Sequence, residues 1–155
     1  MQGGFTAALD RVGVRGGELS ASAMVRETRV EDPLTGAVRR FRADEDWRAS
    51  FDFRQDLPEV GLAWGVDYYI QGLEDFYRAD TFDRITPPRG DLDLFAETRR
   101  FAGLTARVGA DLNLGEQERT RLVWPVSRAE GEPTLRELRT VDFDGRVYLE
   151  LSGVF

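Results

Sequence analysis

Hydrophobic and polar side chains alternate along most of this chain. Between Asp46 and Arg54, the apolar Trp47, Ala49, Phe51 and Phe53 are interleaved with Arg48, Ser50, Asp52 and Arg54. That period of two sends successive side chains to opposite faces of a strand. From 62 to 71 the apolar set is Leu62, Trp64, Val66, Tyr68 and Ile70; from 104 to 114 it is Leu104, Ala106, Val108, Ala110, Leu112 and Leu114. The end of the chain repeats the pattern, with Val147, Leu149, Leu151, Gly153 and Phe155 set against Arg146, Tyr148, Glu150 and Ser152. Weaker runs over 18–26 (Leu19, Ala21, Ala23, Val25) and 91–99 (Leu92, Leu94, Ala96) complete a set of six predicted strands. Residues 1–14 leave room for the tail of another. Very little of the chain has the 3.6-residue period of a helix, so the expected class is all-β and antiparallel.

The connections alternate in length. A polar loop around Glu31-Asp32-Pro33-Leu34-Thr35-Gly36 is followed by the short Gln55-Asp56-Leu57-Pro58-Glu59. Next comes a long stretch from Gly72 through Pro87-Pro88-Arg89-Gly90, then a short turn near 100–103, then the longest, roughly 115–144. Pro and Gly supply the turn dihedrals. Long and short connections therefore fall at opposite ends of an up-and-down sheet. The strand starts near 17, 61 and 103 give a repeat that invites comparison with a propeller blade, but a blade needs four strands per repeat and this chain has two.

Composition narrows the function. A length of 155 residues suits one domain. The net charge is −7, and all 21 basic residues are Arg, which reads as codon bias rather than as 21 binding sites. An acidic chain without a basic run is a poor nucleic-acid partner. Without Cys or His, thiolate nucleophiles, zinc sites and imidazole relays are excluded. The visible carboxylates alternate along strands or lie in loops rather than converging, so neither an enzyme nor a cofactor is expected. The longest run of apolar residues and Gly, Val60 to Val66, is seven residues against about 20 for a membrane helix. Met1-Gln2-Gly3-Gly4 lacks the basic and apolar regions of a secretory signal. The chain is then either cytoplasmic or a piece of a longer precursor.

Alternation alone suits a soluble sandwich or small barrel with its apolar face inward. Three features favour lipid instead. The polar face carries mid-strand charges (Arg48, Asp52, Asp67, Arg107, Asp111, Glu150), whereas the apolar face has no ionisable group except the phenol of Tyr68. Arg or Lys facing lipid at mid-depth costs about 2–4 kcal/mol, so a barrel demands that asymmetry. Ten residues rising about 3.3 Å each and tilted by about 40° cover roughly 25 Å, the height of a barrel's apolar band. The aromatics Trp47, Phe53, Trp64 and Tyr68 are placed as an interfacial girdle would have them. Arg48, Asp52, Asp67, Arg107 and Asp111 then face the lumen; Arg48, Arg54 and Arg107 are expected to pair with Asp52, Asp67 and Asp111 rather than to line an anion path.

The ordered segments Asp32-Pro33-Leu34-Thr35-Gly36, Phe53-Arg54-Gln55-Asp56-Leu57-Pro58 and Leu62-Ala63-Trp64-Gly65-Val66-Asp67-Tyr68, closing on an alternating strand that ends at Phe155, resemble the last part of the barrel of TonB-dependent outer-membrane receptors. The likeness runs from about Val14 to Phe155. It implies an incomplete transmembrane β-barrel segment, with all of 1–155 as the C-terminal portion and the plug domain and signal peptide absent. It also implies a place in the bacterial outer membrane and energised uptake of an iron chelate, vitamin or oligosaccharide. The implied partners are outer-membrane lipid, the remaining barrel and plug, TonB through the missing part, and the barrel assembly machinery. That machinery would read Val147, Leu149, Leu151 and Phe155, although Gly153 stands where an aromatic is common. Six strands cannot close, since single-chain bacterial barrels begin at eight.

A soluble or periplasmic β-barrel ligand-binding module is the alternative. Its apolar face would be a ligand-filled interior, which calls for larger inward side chains than Ala21, Ala23, Ala106 and Ala110. Asp44-Glu45-Asp46 lies at a loop–strand border and reads as solvated. Phe76, Tyr77 and Phe82, flanked by Asp80, Asp83 and Asp91, lie in a long loop where they could touch ligand or pack on neighbouring loops.

Overall fold

A computed structural model describes residues 2–9, 14–43, 45–101 and 103–153. The strands are β1 (Gln2–Ala8), β2 (Gly17–Val25), β3 (Val30–Glu31), β4 (Val38–Arg39), β5 (Trp47–Leu57), β6 (Leu62–Gln71), β7 (Glu74–Tyr77), β8 (Thr81–Thr86), β9 (Asp91–Phe101), β10 (Leu104–Asn113), β11 (Glu116–Val123), β12 (Leu135–Asp142) and β13 (Arg146–Gly153). Among the described residues there is no α-helix, only a 3-10 turn at Pro58–Val60.

Seven strands form an antiparallel meander in the order β1-β2-β5-β6-β9-β10-β13. The sheet does not close, and β1 and β13 are its edges. The six strands predicted from alternation are β2, β5, β6, β9, β10 and β13; β1 is the further strand for which residues 1–14 left room. The three short connections lie at one end of the sheet. Between β5 and β6, Pro58 opens the 3-10 turn and Gly61 closes it with φ 60°, donating its N–H to the Pro58 carbonyl at 3.1 Å. A left-handed residue is required there, and glycine adopts it without a Cβ penalty.

The 72–90 and 114–145 connections are not loops, as the alternation had suggested. They fold into a second antiparallel sheet, ordered β12-β11-β8-β7. Period-two reading missed it because these strands are polar on both faces, as in Glu116-Gln117-Glu118-Arg119-Thr120-Arg121. The outer sheet prolongs the main one. Thr86 pairs with Glu118, five residues beyond the Asp91–Asn113 pair on both strands, so β8–β11 keeps the frame of β9–β10. Arg89 and Gly90 bridge the two sheets, exchanging backbone hydrogen bonds of 2.8 Å with Leu114. β7–β8 and β11–β12 likewise continue β6–β9 and β10–β13, each with one residue of slip.

Nothing described packs on the apolar face of the main sheet. Val147, Leu149 and Leu151 are 81%, 70% and 66% exposed, and Phe51, Leu62, Leu94 and Val108 are exposed as well. Among the described residues, buried apolar side chains reduce to Met24, Ala63 and Phe95, all on the opposite, polar face.

Candidate functional site: the polar face and the outer sheet

Register places the polar face's side chains in rows across the strands. The middle row runs Ser20, Asp52, Asp67, Asp93, Asp111, Arg146, each directly opposite the next. Four carboxylates thus stand side by side on four neighbouring strands, an arrangement that costs energy unless it is compensated. Ser20 Oγ donates to Asp52 at 3.3 Å, Tyr148 donates to Asp93 at 3.1 Å, Arg107 reaches Asp93 at 3.3 Å, and Arg146 pairs with Asp111. Among the described residues, no hydrogen bond or ion pair reaches the Asp67 carboxylate. With Tyr69, Asp91, Asn113 and Asp144, the row from Asp52 to Arg146 lines an open hollow of about 510 Å³. Its field favours cations and repels anions, yet among the described residues no group of three acidic side chains is spaced to hold a metal ion.

One row toward the short turns lie Arg54, Gly65, Phe95, Gly109 and Tyr148. The glycines are there because rings lie over them: a Cβ on Gly65 would sit 2.5 Å from the Phe95 ring, and one on Gly109 would overlap the Tyr148 ring. Arg107 stacks on Phe95 at 3.7 Å, a cation held against the ring quadrupole. Arg54 pairs with Glu97 at 2.5 Å and with Asp56 at 3.0 Å.

The charge pairing therefore differs from the expected one. Arg107 pairs with Asp93, Arg54 with Glu97 and Asp56, Arg48 with Glu45 and Asp111 with Arg146. Asp93, Glu97, Arg146 and Tyr148 were missed as partners, because alternation assigns a face and only register assigns a neighbour. On the apolar face Trp47 and Trp64 are exposed near the starts of two antiparallel strands, and so at opposite ends of the sheet. Trp64 packs on Phe53 with centroids 5.0 Å apart and donates its indole N–H to Gln55 Oε1 at 3.0 Å. Tyr68 donates to the Arg89 carbonyl at 2.5 Å. Val147, Leu149 and Leu151 are in β13, while Phe155 and Asp44 lie outside the described residues. Glu45 and Asp46 are ion-paired, to Arg48 at 3.4 Å and to Arg40 at 2.8 Å.

The outer sheet is held by three buried carboxylates, Asp32 at 1%, Asp75 at 3% and Asp83 at 3% exposure. Each meets two arginines. Asp32 accepts from Arg39 and Arg128, both at 2.8 Å. Asp75 takes a fork of bonds from Arg84 and faces Arg40 at 3.5 Å, and Asp83 binds Arg119 and Arg121. Burial pushes the Asp32 carboxyl up, but the Leu34 N–H, Arg128 and Arg39 outweigh it and hold the group well below the usual carboxylate range. Asp83 is lowered in the same way, burial being overcome by Arg121 and Arg119. Tyr77 lies beneath Arg39 at 4.3 Å and Arg128 at 5.3 Å, so of the loop residues considered as ligand contacts, Tyr77 and Asp83 are occupied by neighbours.

No protein family, curated protein or solved structure matches the chain.

Proposed function

We propose that this chain is the C-terminal wall of a TonB-dependent outer-membrane receptor barrel, part of a machine for energised uptake of a scarce ligand. The observation that carries the reading is the uncovered apolar face backed by a charged one. Leaving a branched apolar side chain in water forfeits about 1.5–3 kcal/mol, so a contiguous face of them needs a partner. Acyl chains supply one, and the aspartate and arginine rows then face a wet lumen. The open edges at β1 and β13 call for further strands, because an unpaired edge in lipid leaves backbone groups unsatisfied at several kcal/mol each. Energy would come from TonB through a plug outside this chain, and the barrel assembly machinery would read β13.

Cysteine scanning tests the reading, since the chain has no Cys of its own. In the receptor made from the complete reading frame, V108C and L149C are expected to resist a water-soluble maleimide in intact outer membranes. S22C and N113C are expected to react. Equal reactivity in the two sets would refute a lipid-facing assignment. For transport, deletion of the receptor and deletion of TonB are expected to abolish growth on the same source in a panel of iron chelates, cobalamin and oligosaccharides. A receptor deletion that changes growth on none of them would remove the uptake role.

A further inference from the structure

Of the two edges of the outer sheet, one is finished and the other is not. Strand length rises across that sheet from four residues in β7 to six in β8 and eight in both β11 and β12. At the β7 side the sheet tapers and is covered: the Ala43 N–H bonds to the Asp75 carbonyl at 2.9 Å, and Arg40 reaches the Asp75 carboxylate. Natural sheet edges end in this manner, short or covered. β12 does the opposite. All eight of its residues pair with β11, while its far side has no partner among the described residues, and the strand contains neither Pro nor a break in pairing. At about 3.3 Å per residue it presents roughly 26 Å of open backbone. Exposed Leu135 and Leu138 sit along it.

Three successive interfaces of the main sheet, β6–β9, β9–β10 and β10–β13, each continue into the outer sheet. The next interface in that series belongs to the free side of β13, whose outward continuation is β12. We infer that the strand closing the barrel against β13 does not stop at the membrane border but continues outward and pairs with β12 along its length. The inference rests on the barrel reading above. It assigns the occupant of the β12 edge as the same receptor's first barrel strand, extended by about eight residues beyond its membrane span, rather than a separate protein.

Amide hydrogen exchange at single-residue resolution decides it, on the unmutated full receptor in lipid nanodiscs. If β12 is an interior strand, every amide from 135 to 142 is expected to exchange at least about 100-fold more slowly than in an unstructured peptide. If β12 is an edge, the amides directed away from β11 exchange freely and protection alternates. Alternation in 135–142 with uniform protection in 146–153 would overturn the extended strand and leave the barrel standing. Alternation in both segments would overturn the barrel reading as well.

Discussion

Val108 offers the sharpest test of what the apolar face touches. It is the fifth of ten residues in β10, faces Ala96 and Leu149 on the neighbouring strands, and is exposed. In the proposed barrel, with a rise of about 3.3 Å and a tilt of about 40°, it would lie about 10 Å up an apolar band of roughly 25 Å, close to mid-depth. V108R is then expected to cost about 2–4 kcal/mol, about 30- to 700-fold in the folding equilibrium. A106R, two residues nearer the short turns, should cost less, about 1–2 kcal/mol. S22R puts the same side chain at the middle of β2 on the polar face. There it loses only the exposed Ser22–Ser50 contact of 2.9 Å, worth at most about 1 kcal/mol. V108F separates lipid from a protein core. Fluid acyl chains accept the larger ring within about 0.5 kcal/mol, whereas a packed core charges about 1–3 kcal/mol for overpacking. The assay is urea unfolding of the full receptor in lipid vesicles, read by heat-modifiable migration. Equal loss in V108F and V108R would place the face in a sealed core; V108R as mild as S22R would place it in water.

Three further outcomes follow from the polar face and the outer sheet. R107A removes the cation that touches Asp93 and covers Phe95. It is expected to destabilise by about 1–2 kcal/mol, discounted for partial exposure, and the loss should shrink in 0.5 M salt as repulsion among Asp67, Asp93 and Asp111 is screened. Y148F keeps the ring over Gly109 but withdraws the hydroxyl from Asp93 and Arg107, so urea unfolding should show a loss of about 1–3 kcal/mol. Because the folded-state values of Asp32 and Asp83 are depressed, their contribution is full above the ordinary carboxylate range near pH 4 and is lost as pH falls below it toward the folded values. A fluorophore on L34C should therefore stay immobile at pH 5 and gain mobility well below pH 4, and D32N should give that mobility at pH 7.

The strands of the main sheet were legible because each carries one apolar face, and a period of two survives in any strand that keeps such a face. β6 is the clearest case, spanning 62–71 in both sequence and structure. β11 and β12 were illegible for the complementary reason. A sheet solvated on both sides has no face to mark, and what orders it is an in-frame continuation of β9–β10 together with arginine pairs on Asp75 and Asp83, relations between residues far apart in sequence.

The aspartate row shows where period-two reasoning must stop. Each of Asp52, Asp67, Asp93 and Asp111 is visible in sequence as a polar position within its own run, and for the two short hairpins the turn fixes which residues face each other. The Asp67–Asp93 contact spans the 72–90 connection, whose length alone does not set a register. That connection is itself a hairpin, β7–β8, displaced by one residue from the β6–β9 frame. A second single-residue slip on either side would move Asp93 off the face shared with Asp67 and carry Leu92 or Leu94 inward in its place. The division of the main sheet into an apolar and a charged face therefore depends on how the outer sheet is stitched. The carboxylates and arginines that order the outer sheet consequently help to decide which side chains share the charged face.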